Sequence, residues 1–281
     1  MIGKTISHYK IIEKIGEGGM GIVYWAEDIK LKRDAAIKFL PQRISADADE
    51  RKRFEIEAQA AAALNHPNIA TIHAIEEADD EVFIVMEYID GKELTDIIAS
   101  PAGAGFKPAL TTEDIFAIAA QIADGLQEAH DHNIVHRDIK PANIMITTKG
   151  RPRIMDFGLA KVAQDTLVTK AGSTLGTAAY MSPEQALGEP VDHRADIWSF
   201  GVVLYEMIAG QRPFKGEYEQ AIIYAITNQD APALADLRPD VSPVPVNIVN
   251  KMLARNPDER YQHTSDILAD LQTLYLKCRV N

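Results

Sequence analysis

The residues best suited to chemistry lie in one central loop, His136 to Ile144, which reads HRDIKPANI. Apolar runs flank this loop, and charges beside buried segments are costly unless they are paired. Asp138 could accept a proton from a hydroxyl group or orient an attacking group. Lys140 could neutralise negative charge on a phosphoryl group during its transfer. The residue types and their spacing therefore favour phosphoryl-transfer chemistry.

A second pair of polar residues could hold a metal ion. Asn143 begins the run NIMI, and Asp156 ends the run RIMD, with a turn around Lys149 and Gly150 between them. If the two runs pair as an antiparallel hairpin, Asn143 and Asp156 are equidistant from the turn and directly opposed, with Cβ atoms about 5 Å apart. A carboxylate beside an amide oxygen suits Mg²⁺. The alternative interpretation is a polar hairpin end closed by an Asx turn.

His136 has two possible roles. It could serve as a catalytic base, but it directly follows the run NIV. A histidine after such a run is more often a packed core residue with its ring nitrogens hydrogen-bonded. We therefore expect a structural histidine.

The glycine-rich segment from Gly16 to Gly21 reads GEGGMG and fits G-x-G-x-x-G. A dinucleotide-binding fold needs a helix directly after this motif. The strand-like run IVYWA follows instead, so the glycines are predicted at the tip of a hairpin that could cover phosphates. An ordinary glycine-rich turn is the alternative. A second segment, GKT at residues 3–5, lacks the rest of a P-loop.

Lys38 and Glu57 are predicted to face each other. Lys38 ends the apolar run of AAIKF, in the sheet that the glycine hairpin covers. Glu57 lies three residues after Phe54 and four before Ala61, on the apolar stripe of a predicted helix. A carboxylate facing inward requires a cation, and Lys38 is the nearest candidate. The alternative is a solvated helical charge.

The elements that position these residues fall into two regions. Residues 1–88 predict a small β-sheet with one helix over about residues 47–65, and strands are expected around residues 69–75 and 82–86. Residues 89–281 predict a larger, mostly helical region, in which Thr111 to Asp114 resemble a capping box. Apolar residues follow this box at helical spacing: Ile115, Ile118, Ile122, Leu126 and Ala129. This is an α+β arrangement, and ligands favour the cleft between two such units.

Composition narrows the functional classes. The 281 residues carry a formal charge of −12, which disfavours a nucleic-acid-binding domain. The single cysteine, Cys278, excludes an internal disulfide framework and a cysteine-based zinc site, and it fits a reducing compartment. No apolar segment is long enough for a membrane span. We expect a soluble, cytoplasmic protein.

The ordered motifs resemble those of one family. IGEGGMGIV, AAIK, HRDIKPANI, DFG, GTAAYMSPE and DIWSFG follow one another in the order found in protein kinases, over about residues 9 to 275. The chain is similar to the bacterial-type serine/threonine kinases of that family. The resemblance implies a bilobal kinase fold, ATP and Mg²⁺ (or Mn²⁺) as cofactors, and serine or threonine side chains of proteins as acceptors.

The resemblance also implies a role for each matching residue. Asp138 would be the catalytic base, Lys140 would contact the γ-phosphate, and Lys38 would hold the α- and β-phosphates while paired with Glu57. Asn143 and Asp156 would bind the metal. The remaining nucleotide contacts would come from Ile15, Gly16, Gly18, Gly21, Val23, Ala36, Met145, the gatekeeper Met86 and the hinge residues Glu87 to Ile89.

The segment from Asp156 to Glu184 is predicted to be regulatory. Arg137 could pair with a phosphate added there, and the candidate acceptors are Thr169, Ser173 and Thr174. Self-association for autophosphorylation is a possible consequence. Thr177 is expected to contact Asp138 and Lys140 instead.

Three further expectations concern structural contacts. The resemblance suggests that Glu184 pairs with Arg260, and Asp196 is expected to anchor the backbone of the central loop. Trp25 stands where the family commonly has lysine or arginine, so it is expected to face solvent or the lid, with no assigned role.

Two other functions remain open. A small-molecule phosphotransferase shares the Asp-x4-Asn spacing of Asp138 and Asn143, but GTAAYMSPE after DFG favours a protein substrate. A catalytically inactive binding module is disfavoured because the expected catalytic and metal-binding residues are present.

Overall fold

A computed structural model of the chain describes residues 1–18, 21–41, 48–78, 81–99, 110–157 and 175–280. The expected phosphorylation sites Thr169, Ser173 and Thr174 lie outside these residues. Within the described part, no helix is both long and apolar enough to cross a bilayer.

The described part of residues 1–87 forms an antiparallel sheet of six strands with one helix. The strands are β1 (Thr5–Ile6), β2 (Tyr9–Gly18), β3 (Gly21–Asp28), β4 (Arg33–Phe39), β5 (Ile72–Ala78) and β6 (Glu81–Glu87), in the spatial order β1-β2-β3-β4-β6-β5. Helix α1 (Ala48–Ala62) lies between β4 and β5 in the chain. The expected small sheet with one helix is confirmed.

Alternation along β4 divides the sheet into two faces. Ala35, Ile37 and Phe39 pack into one apolar cluster, whereas Ala36 packs on the other face, against Phe54 of α1. Successive side chains of a strand point to opposite faces, so Lys38 shares the face of Ala36. This face therefore carries both the helix and Lys38.

The glycine-rich segment forms a hairpin, as predicted. Gly18 pairs with Gly21, and strand β3 follows instead of a helix. Gly21 has φ +116°, and a Cβ atom there would lie 1.8 Å from the carbonyl oxygen of Phe39. Only glycine fits such a close approach of two backbones.

Strand β5 begins later than expected. The sequence predicted a strand from residue 69, but β5 starts at Ile72. The backbone N–H of Ala70 donates to the carbonyl of Ile154, and the N–H of Ile154 donates to Asn68. Because these groups bond to the second half of the chain, the segment links the two regions instead of joining the first sheet.

The described residues after Glu87 form a three-stranded sheet and the remaining helices. Its strands are β7 (Gly91–Glu93), β8 (Ile144–Thr147) and β9 (Pro152–Ile154), and the longer helices are α2 (Leu94–Ala99), α3 (Thr112–Asp131), α4 (Leu175–Ala178), α5 (Pro183–Leu187), α6 (Arg194–Ala209), α7 (Glu219–Asn228), α8 (Leu234–Leu237), α9 (Pro243–Met252) and α10 (Thr264–Val280). Short 3₁₀ turns cover Pro141–Asn143 and Pro257–Glu259. Helices α3 and α6 supply the largest shares of the buried side chains around which the others pack.

The predicted capping box is present at the start of α3. The Thr111 side chain accepts a hydrogen bond from the backbone N–H of Asp114, and the Asp114 carboxylate accepts one from the N–H of Thr111. The apolar residues behind it are buried as expected: Ile115, Ile118, Ile122, Leu126 and Ala129.

Removing this cap should weaken the fold. Thr111→Ala should lower the free energy of unfolding by about 1 kcal/mol, because one N–H in the first turn of α3 loses its acceptor. Urea denaturation followed by circular dichroism measures the change. Thr112→Ala, one residue inside the helix, is the matched control. Equal effects of the two substitutions would contradict a specific role for the cap.

Candidate functional site

A buried carboxylate fixes the start of the central loop. Asp196 on α6 is fully buried and accepts backbone hydrogen bonds from His136 (2.8 Å) and Arg137 (2.7 Å). His130 Nε2 lies 2.9 Å from the same carboxylate. Burial alone would raise the pKa of Asp196, but the His130 hydrogen bond, the nearby histidines and the His136 N–H hold it below its ordinary value. The expected anchoring role is confirmed.

His136 is a core residue, as predicted. Its Nδ1 accepts from the backbone N–H of Asp138 (3.2 Å), which leaves Nε2 to donate to the carbonyl of Met155 (2.8 Å). The ring is fully buried, and Phe157 packs edge-on at 4.7 Å. With both nitrogens occupied, the ring joins the central loop to the residues beside Asp156.

Lys140 and Asn143 both reach Asp138, and Thr177 lies within reach of Lys140. Lys140 Nζ lies 2.7 Å from the Asp138 carboxylate and 3.3 Å from the hydroxyl oxygen of Thr177. The Asn143 amide nitrogen donates to the Asp138 carbonyl (2.7 Å) and carboxylate (3.0 Å). The expected contact between Thr177 and Lys140 is confirmed. A small surface thus contains a carboxylate, an ammonium group and a hydroxyl group.

Lys38 forms an ion pair with Asp156. The two groups are 2.8 Å apart, and Lys38 is almost fully buried. Burial would raise the pKa of Asp156, but the charge of Lys38 and its hydrogen bond lower it. Among the described residues, the ion pair at Lys38 is therefore with Asp156 and not with Glu57, which differs from the expected pairing. Glu57 lies half-buried on α1.

The register of the β8–β9 hairpin differs from the predicted one. Ile144 pairs with Ile154, and the Met155 N–H donates to the Asn143 carbonyl at 2.9 Å. Asn143 therefore opposes Met155, and the expected direct opposition to Asp156 is wrong. Asp156 has φ +62°, a left-handed backbone that is uncommon for a residue other than glycine. This local turn, instead of strand pairing, sets the direction of the Asp156 side chain.

The donor atoms fit a divalent cation that also binds substrate. The Asn143 amide nitrogen is used by Asp138, which leaves the amide oxygen as the end suited to a cation. No group of three or more histidine, cysteine or acidic side chains in the described ranges is arranged to hold a metal. An ion between Asn143 and Asp156 would therefore take its other ligands from phosphate oxygens and water, as Mg²⁺ commonly does.

The expected nucleotide-binding residues lie in both sheets and in the segment between them. Val23 packs against the buried cluster that contains Ala36 and Met86. The others are the glycines Gly16, Gly18 and Gly21 on the hairpin, Ile15 on β2, Met145 on β8, and Ile89 after β6. Ile15 is 47% exposed, which leaves an apolar side chain open to a ligand.

Arg153 makes contacts between the two regions that the sequence did not suggest. Its guanidinium donates to the Glu87 carboxylate (2.9 Å) and to the carbonyls of His66 (3.3 Å) and Ile69 (3.2 Å). Glu87 also accepts from the Thr71 N–H at 3.3 Å. Arg153 thus ties β9 to the end of β6 and to the segment after α1. The only signal was a charged residue between apolar ones in a short strand.

The contact that Gln185 makes with the central loop was also not predicted from the sequence. Its amide oxygen accepts from the Ser182 N–H (3.0 Å) within a capping box, and its amide nitrogen donates to the Arg137 carbonyl (2.8 Å). It therefore holds the start of α5 against the central loop. The Ser-Pro-Glu-Gln order contains a recognisable capping box, but no pattern could show the long-range contact.

The expected pair of Glu184 and Arg260 is confirmed. Two parallel bonds of 2.7 and 2.8 Å join the groups, and both residues are buried. Arg260 also lies over the ring of Trp198 at 5.2 Å. Bidentate geometry and burial make this a rigid link between α5 and the turn before α10.

Comparison with known proteins gives consistent matches. The model of the protein kinase domain family matches residues 9–270. The chain is 42% identical to the serine/threonine-protein kinase PknB of Mycolicibacterium smegmatis over 269 residues, which cover 94% of the chain and 42% of the relative. It is 40% identical to the serine/threonine-protein kinase PrkC of Bacillus subtilis over 282 aligned positions, which cover 100% of this chain and 43% of the relative.

A solved structure shares the fold. The kinase domain of PknI from Mycobacterium tuberculosis superposes with a TM-score of 0.77 and 27% identity, and the match covers 97% of this chain and 98% of that one. The expected bilobal α+β fold is thereby confirmed. The chain spans less than half the length of the curated relatives named above.

A fall in pH should remove the contribution of the Asp196 carboxylate to the free energy of unfolding. Because its pKa is lowered in the folded state, this carboxylate stabilises the protein above about pH 4, the ordinary aspartate range, and the contribution is lost as pH falls further. Asp196→Asn should cost about 3 kcal/mol or more near neutral pH, since the substitution breaks a buried network.

The difference between wild type and Asp196→Asn should shrink below about pH 4. Urea unfolding at a series of pH values between 3 and 7 measures it. Asp230→Asn, whose side chain is 94% exposed, is the control and should change stability little at any pH. A difference for Asp196→Asn that stays constant with pH would contradict this assignment.

Proposed function

The chain belongs to the protein kinase family, and from this premise we propose that it transfers the γ-phosphoryl group of ATP to serine and threonine hydroxyls of proteins. The observation that carries the proposal is the position of Lys140, within reach of both the Asp138 carboxylate and the Thr177 hydroxyl. An acidic acceptor, a cation and a hydroxyl side by side suit a phosphoryl transfer to an alcohol. The names of the two curated relatives support the same acceptor class.

Asp138 would position the incoming hydroxyl and take its proton. Its backbone N–H bonds to His136 and its carbonyl to Asn143, so the residue is held at both ends of its backbone. Such fixed geometry lowers the cost of orienting the reacting hydroxyl. Lys140, already 2.7 Å from this carboxylate, would stabilise the charge that develops on the transferred group.

Lys38, Asn143 and Asp156 would bind the phosphates with the metal. Kinases as a family use ATP with a divalent ion, and here we propose Mg²⁺, with Mn²⁺ as a substitute. When bound, the ion neutralises negative charge on phosphate oxygens. Lys38 would approach the α- and β-phosphates, with Glu57 as an alternative partner for its ammonium. In the present conformation, its ion pair with Asp156 holds the Lys38 side chain at the edge of the site.

The two regions would act as lobes. We assign residues 1–88 to a nucleotide-covering lobe and residues 89–281 to a lobe that binds the protein substrate. The last strand of the first sheet ends at Glu87, and the next strand pairs in the second sheet, which supports a boundary between them. We also propose a cytoplasmic location, because ATP is the phosphate donor and the chain has a single cysteine.

Phosphorylation of the segment between Asp156 and Glu184 would activate the enzyme. Arg137 lies beside Asp138, and its carbonyl is held by Gln185. A phosphate paired with this arginine would order the segment against the central loop. Thr169, Ser173 and Thr174 are the proposed acceptors, and self-association would allow one copy to modify another.

Asp138→Asn tests the catalytic proposal. The substitution keeps the size of the side chain but removes the proton acceptor, so kcat with a generic protein substrate should fall by about 10²- to 10⁴-fold. Radiolabelled phosphate transfer from ATP measures the rate, and calorimetric titration checks that ADP still binds. Asp230→Asn is the control and should retain full activity. Unchanged transfer by Asp138→Asn would exclude the proposed role.

Phosphorylation of the regulatory segment is tested by mass spectrometry. After incubation with ATP and Mg²⁺, wild type should carry phosphate on at least one of Thr169, Ser173 and Thr174, whereas Asp138→Asn should carry none. Replacing all three by alanine should lower activity towards an external substrate, because Arg137 loses its proposed phosphate partner. Full activity of the triple variant would contradict activation through these sites.

A further inference from the structure

Trp25 is the residue that the proposed reaction leaves without a role, and the structure gives it specific contacts. Its indole stacks on the ring of Tyr88, with centroids 5.3 Å apart and planes inclined by 21°. Its Nε1–H donates to the Asp34 carboxylate at 2.9 Å. Trp25 is half-buried, and these contacts are ones that the sequence did not suggest. One face of the indole is covered by a residue from the segment after β6.

The pairing of the strands shows which face of the sheet Trp25 occupies. Trp25 lies directly opposite Ala36, and Val23 lies opposite Lys38. Opposed residues share a face of the sheet, and so do residues two apart in one strand. Lys38 identifies this face, because its ammonium reaches Asp156 in the other region. Trp25 is thus on the side of the sheet where the nucleotide is proposed to bind.

Trp25 continues the row of residues proposed to line the base pocket. Ala36 pairs with Met86 on β6, and Val23 packs against the buried cluster that contains them. Moving away from Lys38, the next step along β3 is Trp25. Tyr88 is two residues beyond Met86, directly after β6 ends. The stack therefore closes the row at the end opposite to the reactive lysine.

Three carboxylates lie near enough to the Tyr88 phenol to influence it. Burial raises the pKa of its phenol, and the carboxylates of Asp90, Asp34 and Glu13 raise it further. Asp34 also accepts a hydrogen bond from Trp25, so the same carboxylate lies near both rings. The protonated phenol and the indole N–H are both donors, which suits an acidic surrounding.

We propose that the Trp25–Tyr88 stack forms the outer edge of the base pocket and positions the segment 87–89 for the purine of the nucleotide. Trp25 is thus a positioning and specificity residue, and the inference rests on the nucleotide-binding function proposed above. A stack already formed in the free protein removes part of the ordering that binding would otherwise require. It also presents an aromatic edge where the base leaves the pocket.

Nucleotide affinity is the first measurement. An aromatic pair contributes about two- to tenfold to an equilibrium constant, so Trp25→Leu should raise the Kd for ADP by about that factor. The KM for ATP should rise in parallel, while kcat at saturating ATP stays within about twofold. Trp25→Phe and Tyr88→Phe keep stacked rings and should restore affinity close to that of wild type.

A double-substitution cycle shows whether the two rings act together. Tyr88→Leu alone should weaken ADP binding about as much as Trp25→Leu, and the double variant should be little worse than either. Tyr224→Leu, which removes a 60% exposed tyrosine from α7, is the matched control and should leave the Kd unchanged. If the losses of ADP affinity in the two single variants added up in the double variant, the two rings would act independently, and this would overturn the proposal.

Fluorescence gives a readout that general destabilisation would not change. The chain has two tryptophans, and Trp198 is fully buried against Phe214. ADP should therefore change mainly the emission of Trp25, and this change should disappear in Trp25→Phe even though calorimetry still detects binding. An undiminished emission change in that variant would overturn the proposal.

The outcomes separate this inference from the proposed function. If wild type binds ADP and Trp25→Leu binds it equally well, the pocket edge is wrong and the kinase proposal stands. If wild type binds neither ADP nor ATP, both are overturned. If Trp25→Leu loses affinity only in proportion to a lower fraction of folded protein, measured by thermal denaturation, the role of Trp25 is structural and the inference fails.

Discussion

The buried carboxylate of Asp196 is the constraint on which the site depends. The central loop carries charges next to an apolar core, and its backbone N–H groups cannot be left unbonded there. Asp196 accepts two of them, from His136 and Arg137, and is itself held by His130. A single ionised group thus satisfies the loop and fixes its start. Asp138 follows directly, so its position is set from the core of the helical region.

The two halves of the chain are joined by polar contacts at specific points. Lys38 of the first sheet meets Asp156, and Arg153 of the second sheet meets Glu87 at the end of β6. Arg153 and Glu87 are partly exposed, so this ion pair can be broken and re-formed at modest cost, whereas Lys38 is almost fully buried. The two regions also share apolar packing, because Ala61, Leu64 and Ile69 belong to the same buried cluster as residues of α3 and α6.

The elements followed largely from periodicity and capping, whereas contacts between elements did not. The apolar stripe of α3 and its cap at Thr111 are local patterns, and both were predicted correctly. The start of β5 was not, because the backbone N–H of Ala70 bonds to Ile154, which is distant in the chain. The register of the β8–β9 hairpin was not either, because its turn closes between Thr147 and Arg151, which the residue pattern did not fix.

The sequence by itself determined the family, the order of the elements and the polar residues of the central loop that meet at the site, Asp138, Lys140 and Asn143. These are properties of residue type and spacing along the chain. Only the tertiary structure decided that Lys38 pairs with Asp156, that Gln185 holds the Arg137 carbonyl, and that Trp25 stacks on Tyr88. Each of these choices selects one partner among several of suitable chemistry. The selection depends on distance and direction in space, and these are fixed only when the sheet, the helices and the loop pack together.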